Sequence, residues 1–128
     1  MKKAFVVVAL LLVAPPVFAQ SDPHRAAVYM PSCAAAADIA QGRRPAADSP
    51  DAAKQLNQAA LCFNALMAVQ NLAPLLKPEL AMCPPADAKP AQTIQTIIAY
   101  LKKHPEKLND NFHRVAVSAL AEAWPCAK

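Results

Sequence analysis

Glycine is almost absent from this sequence, which contains a single glycine, Gly42, among 128 residues. Glycine supplies the left-handed backbone of phosphate-binding loops, and many catalytic sites use it where backbone groups turn toward a developing charge. No G-x-G-x-x-G motif, no phosphate-binding loop and no G-x-S-x-G motif can be written from this chain. The nucleotide-binding and serine hydrolase classes that depend on these motifs are therefore excluded.

Residue spacings suited to metal binding or thiol catalysis are also missing. The four cysteines are separated by 29, 21 and 43 residues, so no C-x-x-C pair is present to hold zinc. None of the three histidines has a second ligand four residues further on. We therefore predict no catalytic residue, no metal site and no cofactor, and disulfide bonds are favoured over the alternative of a zinc site.

The first 19 residues, MKKAFVVVALLLVAPPVFA, follow the order of an export signal. Two lysines precede an apolar run from Ala4 to Ala14, and a triplet from Val17 to Ala19 suits signal peptidase. The apolar run is far shorter than the roughly 20 residues that cross a bilayer, so we predict no membrane anchor. A buried N-terminal helix is the less favoured alternative. We expect residues 1–19 to be removed and residues 20–128 to form one helical domain.

The net charge and the number of cysteines limit the classes of partner and the cellular compartment that we expect for this protein. The chain has 13 basic and 9 acidic residues, and without Lys2 and Lys3 this becomes 11 against 9, a net charge of +2. This charge is too small to imply binding to nucleic acid. An even number of cysteines in a small exported chain favours two disulfides and an oxidising compartment.

Prolines separate the apolar-periodic stretches and so mark the boundaries of four predicted helices. The first helix is expected to open around Pro31, and Gly42 should stop it as a left-handed cap. The second is expected to start with Ser49 as N-cap and to run to about Leu72. The apolar stripe predicted for the second helix consists of Leu56, Ala59, Ala60, Phe63, Leu66, Met67 and Gln70.

The C-terminal half predicts two further helices. The third should run from Pro90 to His104, with isoleucines and a leucine at helical spacing. A β-strand over TIQTII is the alternative, but no second strand-like run exists to pair with it. The fourth should start at about Asn109, or at Pro105 if the first turn forms there, and should end with a buried Trp124.

The helices predict how the cysteines pair. Short connections make the first and second helices antiparallel, and likewise the third and fourth. Cys33 lies about eight residues before the turn that joins the first two helices, and Cys62 lies about eleven residues after it. The two cysteines should therefore lie at similar positions along the axes of the two helices, within roughly one helical turn. The end of the fourth helix should lie beside the start of the third, which brings Cys126 to Cys83. We therefore predict an all-α, four-helix bundle closed by two disulfides.

Several longer patterns resemble one family. The segments MCPP, YLKKHPEKL and NFHRVAVSALAEAWPC are similar to the C-terminal signature of the Rap/Tai immunity proteins (resistance-associated protein, type VI amidase immunity). SCAAAADIAQG and the cysteine of LCF match the first half, although Asn64 and Ala65 replace glycines that members often carry there. The resemblance, from Tyr29 to Cys126, implies a small helical bundle, often a homodimer. It also implies a periplasmic protein that binds and blocks peptidoglycan amidases injected by type VI secretion.

Two segments outside the predicted helices carry the residues that we expect to contact a partner protein. One segment has apolar side chains flanked by charged ones, and the other has a pair of cations. Both arrangements are typical of protein interfaces. A solvated turn is the alternative interpretation of the arginine pair. The expected partner-binding residues are Arg43 and Arg44 in GRRPAADSP, with Leu75, Leu76, Lys77, Glu79 and Leu80 in APLLKPELAM.

Two functional hypotheses follow from these observations. The first is a periplasmic immunity protein that occludes a peptidoglycan amidase. The second is a periplasmic structural or chaperone-like helical binding protein without a link to toxins, because a family signature reports a scaffold rather than a target. Both describe a binding protein rather than an enzyme.

Overall fold

A computed structural model describes residues 22–127, and the predicted signal peptide lies outside these residues. Four helices and three short 3₁₀ turns make up the described part of the chain, which has two isolated β-bridges and no strand. The prediction of an all-α, four-helix fold is confirmed. The helices are α1 (Ala26–Ala40), α2 (Pro50–Leu72), α3 (Pro90–Lys103) and α4 (Phe112–Ala123), and the 3₁₀ turns are Ala73–Leu75, Pro78–Leu80 and Pro105–Asn109.

Helix α1 begins earlier than the sequence predicts, and the expectation that it opens around Pro31 is wrong. Pro31 lies inside the helix, where it removes one backbone hydrogen bond. Distant residues hold the first turn in place. The N–H of the buried Ala26 donates to the carbonyl of Asp110 at 2.8 Å, and the ring of Tyr29 stacks on Phe112 with centroids 4.4 Å apart. These contacts extend the helix in front of the proline.

The connection between α1 and α2 follows the local signals in the sequence. Gly42 ends α1 with a φ of 77°, in the left-handed region that favours glycine. The Ser49 hydroxyl accepts a hydrogen bond of 3.1 Å from the N–H of Asp51, and Pro50 occupies the first helical position. Both predicted caps are confirmed.

Only a minority of the residues in the predicted apolar stripe of α2 are buried. Ala59 and Leu66 are buried, whereas Leu56 and Met67 are each 55% exposed. The cause is Cys62, whose bridge to α1 requires it to face that helix. The buried arc is therefore centred on Cys62, and the outer edge of the predicted stripe faces solvent. The buried residues of α2 are Ala59, Cys62, Ala65, Leu66 and Val69.

Both disulfide pairings are confirmed, with Cys33 bonded to Cys62 and Cys83 bonded to Cys126. The hairpin argument holds for α1 and α2 but not for α3 and α4. Lys103, at the end of α3, lies 3.2 Å from Glu122, near the end of α4. In a simple antiparallel hairpin, Lys103 would instead lie beside the start of α4. The chain between Cys83 and the start of α3 spans the distance that separates α3 from the Cys83–Cys126 bridge.

Helix α4 begins at Phe112, so neither predicted start was right. The chain first forms the 3₁₀ turn and then becomes extended at Asp110, because it pairs with the residues before α1. Phe112 donates its N–H to the carbonyl of His24 at 2.7 Å, and the Asn111 side chain caps the helix. At the other end, Trp124 is half-buried rather than buried, since it lies beyond the last helical turn.

Candidate binding surfaces

The first candidate surface is an apolar groove between the end of α2, the proline-rich segment of residues 73–82 and α4. Its volume is about 250 Å³. Leu72 is 50% exposed and Leu80 is 39% exposed, so the groove presents large apolar side chains to solvent. We call it the leucine groove. It is lined by Val69, Leu72, Leu76, Leu80, His113, Arg114, Val117 and Ser118.

The proline-rich segment is held at both ends. It follows directly from α2, and its two 3₁₀ turns each begin with a proline at the first or second position. At its far end Met82 forms a β-bridge with Pro125, and the N–H of Cys83 donates to the carbonyl of Trp124 at 2.8 Å. The Cys83–Cys126 bridge completes this attachment. The outer wall of the leucine groove is therefore tied to the end of α4.

The structure separates the predicted partner-binding residues of this segment. Leu76 and Leu80 line the leucine groove, whereas Leu75 points away and is 80% exposed. Lys77 and Glu79 are exposed beside them. Their role in binding stays a prediction.

The second candidate surface surrounds Arg44, between the end of α1, the first half of α2 and the start of α3. This surface includes two adjoining cavities of about 180 and 530 Å³, and Ile39 and Arg44 line both of them. We call it the arginine depression. It is lined by Ile39, Ala40, Arg44, Pro45, Ala47, Ala52, Gln55, Leu56, Phe63, Lys89, Pro90 and Ala91.

The two arginines of the predicted pair have different roles. The Arg43 guanidinium lies 2.6 Å from a carboxylate oxygen of Asp38 and also donates to the Gln41 side chain, so it closes the end of α1. Among residues 22–127, Arg44 forms no ion pair and no side-chain hydrogen bond. Arg44 is therefore the arginine that is free to meet a partner.

The leucine groove and the arginine depression are separate surfaces. On α2, the depression is lined by residues from Ala52 to Phe63 and the groove by Val69 and Leu72. They also lie on different sides of the helix, because Leu56 and Leu72 are separated by about 160° around its axis. The two segments that the sequence singled out therefore border two separate surfaces.

Phe63 and Lys89 are two of the residues of the arginine depression that sequence reasoning did not assign to partner binding. Phe63 was assigned to the core, yet it is half-buried and forms part of the floor. Lys89 precedes the proline that opens α3, and the sequence does not show that this position faces Arg44. Only the packing of α2 and α3 on α1 brings the three side chains together.

Chemical groups for catalysis or metal binding do not converge within the described residues. No cluster of three or more histidine, cysteine, aspartate or glutamate side chains is found there, and each of the four cysteines is in a disulfide. The rings of His24 and His113 lie 6.4 Å apart at the surface, and His104 lies 3.3 Å from Glu106. What residues 22–127 offer a partner is shape, apolar surface and charge.

Comparison with known proteins gives one result. A family model described as Rap1a immunity proteins matches residues 26–126, from the first residue of α1 to the last cysteine. The match includes all four helices and both disulfides. Neither the curated proteins nor the solved structures gave a match. Among the helices that the structure describes, none is long and apolar enough to span a membrane.

Proposed function

Because the chain belongs to the Rap1a immunity protein family, we propose that it is a periplasmic immunity protein that binds and occludes a peptidoglycan amidase delivered by type VI secretion. Membership of this family suggests protection against a type VI effector, and such proteins typically act without catalysis. The family match over the whole described fold carries the proposal. The amidase as target rests on the resemblance of the C-terminal motifs to the Rap/Tai signature.

The fold suits inhibition by occlusion. Two disulfides link residues 29 and 43 positions apart, and Cys33 and Cys62 are 1% and 0% exposed. A bundle closed in this way loses little conformational entropy when it binds, which favours a tight complex. The leucine groove and the arginine depression both supply exposed apolar side chains next to cations, as protein interfaces do.

The disulfides also support an extracytoplasmic location, because such bonds persist in oxidising compartments. A periplasmic site of action agrees with the export signal predicted over residues 1–19. In this compartment the protein would meet a toxin that attacks peptidoglycan. Proteins of the family that the chain resembles are often homodimers, and light scattering of the purified protein would show whether this chain forms one.

The decisive experiment expresses this chain together with a peptidoglycan amidase in the periplasm of a bacterial host, and any small cysteine hydrolase encoded by a neighbouring gene is the first amidase to test. The full chain should prevent lysis, whereas a version lacking residues 1–19 should fail to protect because it stays in the cytoplasm. A catalytically inactive amidase controls for toxicity unrelated to peptidoglycan. In vitro, purified residues 20–128 should form a complex with the amidase and stop the release of peptidoglycan fragments.

The same experiment separates the alternative function. Lysis that continues in the presence of the full chain, together with the absence of a complex in vitro, would contradict the immunity role. That result would favour a structural or chaperone-like periplasmic binding protein.

A further inference from the structure

We propose that the arginine depression is the surface that holds the toxin, and that it receives an acidic segment of the amidase carrying an apolar side chain. This inference rests on the proposed function and adds to it the location of the contact and the chemistry of the bound segment. Three features of the depression support it: two cations without partners, the start of a helix and an apolar floor.

The cations are the first feature. Arg44 and Lys89 both line the larger cavity of the depression, which lies between the end of α1 and the start of α3. Within the part of the chain that the structure describes, neither side chain forms an ion pair, and no acidic residue lines the depression. Other cations, such as Arg43 and Lys103, are already paired with carboxylates. The depression therefore contains two exposed cations that no carboxylate of residues 22–127 pairs with, and an acidic segment of a bound protein would pair with them.

The start of α3 adds to this charge. Lys89 is the N-cap of a 14-residue helix, and Pro90 and Ala91 also line the depression. The N-terminal end of a helix has a partial positive charge, which favours a nearby anion. A carboxylate between Arg44 and Lys89 would lie beside this end of the helix as well. All three sources of charge thus favour an acidic group.

The floor of the depression is apolar. Ile39 and Phe63 are half-buried, and the side chain of Leu56, on α2, is 55% exposed. Beyond Leu56, the exposed Ala60 and Met67 continue the apolar surface along α2 at helical spacing. An apolar centre with charges at its edge is the arrangement found at binding hot spots. The bound segment should therefore combine an apolar side chain with one or two carboxylates.

The leucine groove fits this chemistry less well. Its volume of about 250 Å³ is smaller than the larger cavity of the arginine depression, and Arg114 is the one permanently charged residue that lines it. It provides apolar contact without a second cation to select an acidic partner. We therefore assign the toxin to the arginine depression and treat the leucine groove as the competing site.

The test compares charge-reversal variants of purified residues 20–128 in calorimetric titrations with the amidase. Arg44→Glu combined with Lys89→Glu should weaken binding at least about tenfold and remove most of its dependence on salt concentration. Lys54→Glu is the matched control, because Lys54 is an exposed cation on α2 that lines neither surface. This control should change the dissociation constant by less than about twofold.

Circular dichroism separates binding from folding. Arg44 and Lys89 are exposed, so their variants should keep the helix content and melting temperature of the wild type. The milder pair Arg44→Gln and Lys89→Gln should weaken binding by a smaller factor in the same direction. This graded response distinguishes lost attraction from introduced repulsion.

Two outcomes would overturn the assignment. If the double charge reversal binds the amidase as tightly as the Lys54→Glu control does, the contact lies elsewhere and the immunity function still stands. If Leu76→Asp, in the leucine groove, abolishes binding in the same assay, the competing site is identified. If the wild type fails to bind the amidase, the proposed function and this inference both fall.

Discussion

Cys83 is joined to the end of α4 twice, by its disulfide to Cys126 and by a hydrogen bond of 2.8 Å from its N–H to the carbonyl of Trp124. Cys83 is exposed, whereas both cysteines of the other bridge are buried. The two disulfides therefore differ in their access to solvent, although each closes a loop of comparable length.

This difference predicts the order of reduction. A mild thiol reductant must reach a sulfur atom to attack it, so the Cys83–Cys126 bridge should open first while Cys33–Cys62 remains intact. Alkylation of the new thiols followed by peptide mass spectrometry would identify the reduced pair. Equal rates of reduction for the two bridges would show that the bundle opens as a whole before either bond is attacked.

Truncation of two aromatic residues, Phe112 and Trp124, should lower the free energy of unfolding by different amounts. Phe112 is 0% exposed and stacks on Tyr29, so Phe112→Ala should lower the free energy of unfolding by about 3 to 5 kcal/mol. Trp124 is half-buried beyond the end of α4, and Trp124→Ala should cost only about 2 kcal/mol. Urea denaturation of both variants would measure the difference. A larger loss for Trp124→Ala would mean that the tryptophan anchors the second disulfide to the core.

The proline-rich segment provides a matched pair of leucines. Leu76 is half-buried and lines the leucine groove, so Leu76→Asp should lower the free energy of unfolding by about 1 to 3 kcal/mol through desolvation of the new carboxylate. Leu75 is its neighbour and is 80% exposed, so Leu75→Asp should change stability by less than about 0.5 kcal/mol. Thermal melts of the two variants would test this. Equal losses would indicate that the whole segment is packed.

Gly42 predicts an effect that depends on the backbone alone. Its φ of 77° is unfavourable for residues with a side chain, yet a Cβ atom at this position would meet no atom within 4 Å. Gly42→Ala should therefore cost about 1 kcal/mol through backbone strain, without a steric clash. Gly42→Asn should cost less, because asparagine tolerates this conformation better. If the two substitutions were equally harmful, the cause would lie outside the backbone conformation.

Local signals in the sequence determined much of this fold. Gly42 and Ser49 mark the end of one helix and the start of the next, because caps depend on residues within a few positions of each other. The Cys33–Cys62 pairing also followed from the positions of the helices along the chain, whereas Cys83–Cys126 was predicted correctly from an α3–α4 hairpin that the structure does not form. Arg44, Leu76 and Leu80 could be assigned to candidate surfaces because they lie outside the helices and differ in character from their surroundings.

Tertiary structure decided which faces the helices bury and which side chains meet. The bond between Cys33 and Cys62 sets the rotation of α2 and turns part of its apolar stripe toward solvent. Pairing of the residues before α1 with those before α4 moves the start of both helices. Arg44, Phe63 and Lys89 form one surface only after three helices pack together, because periodicity along one helix reports which residues share a face but not which neighbour covers it.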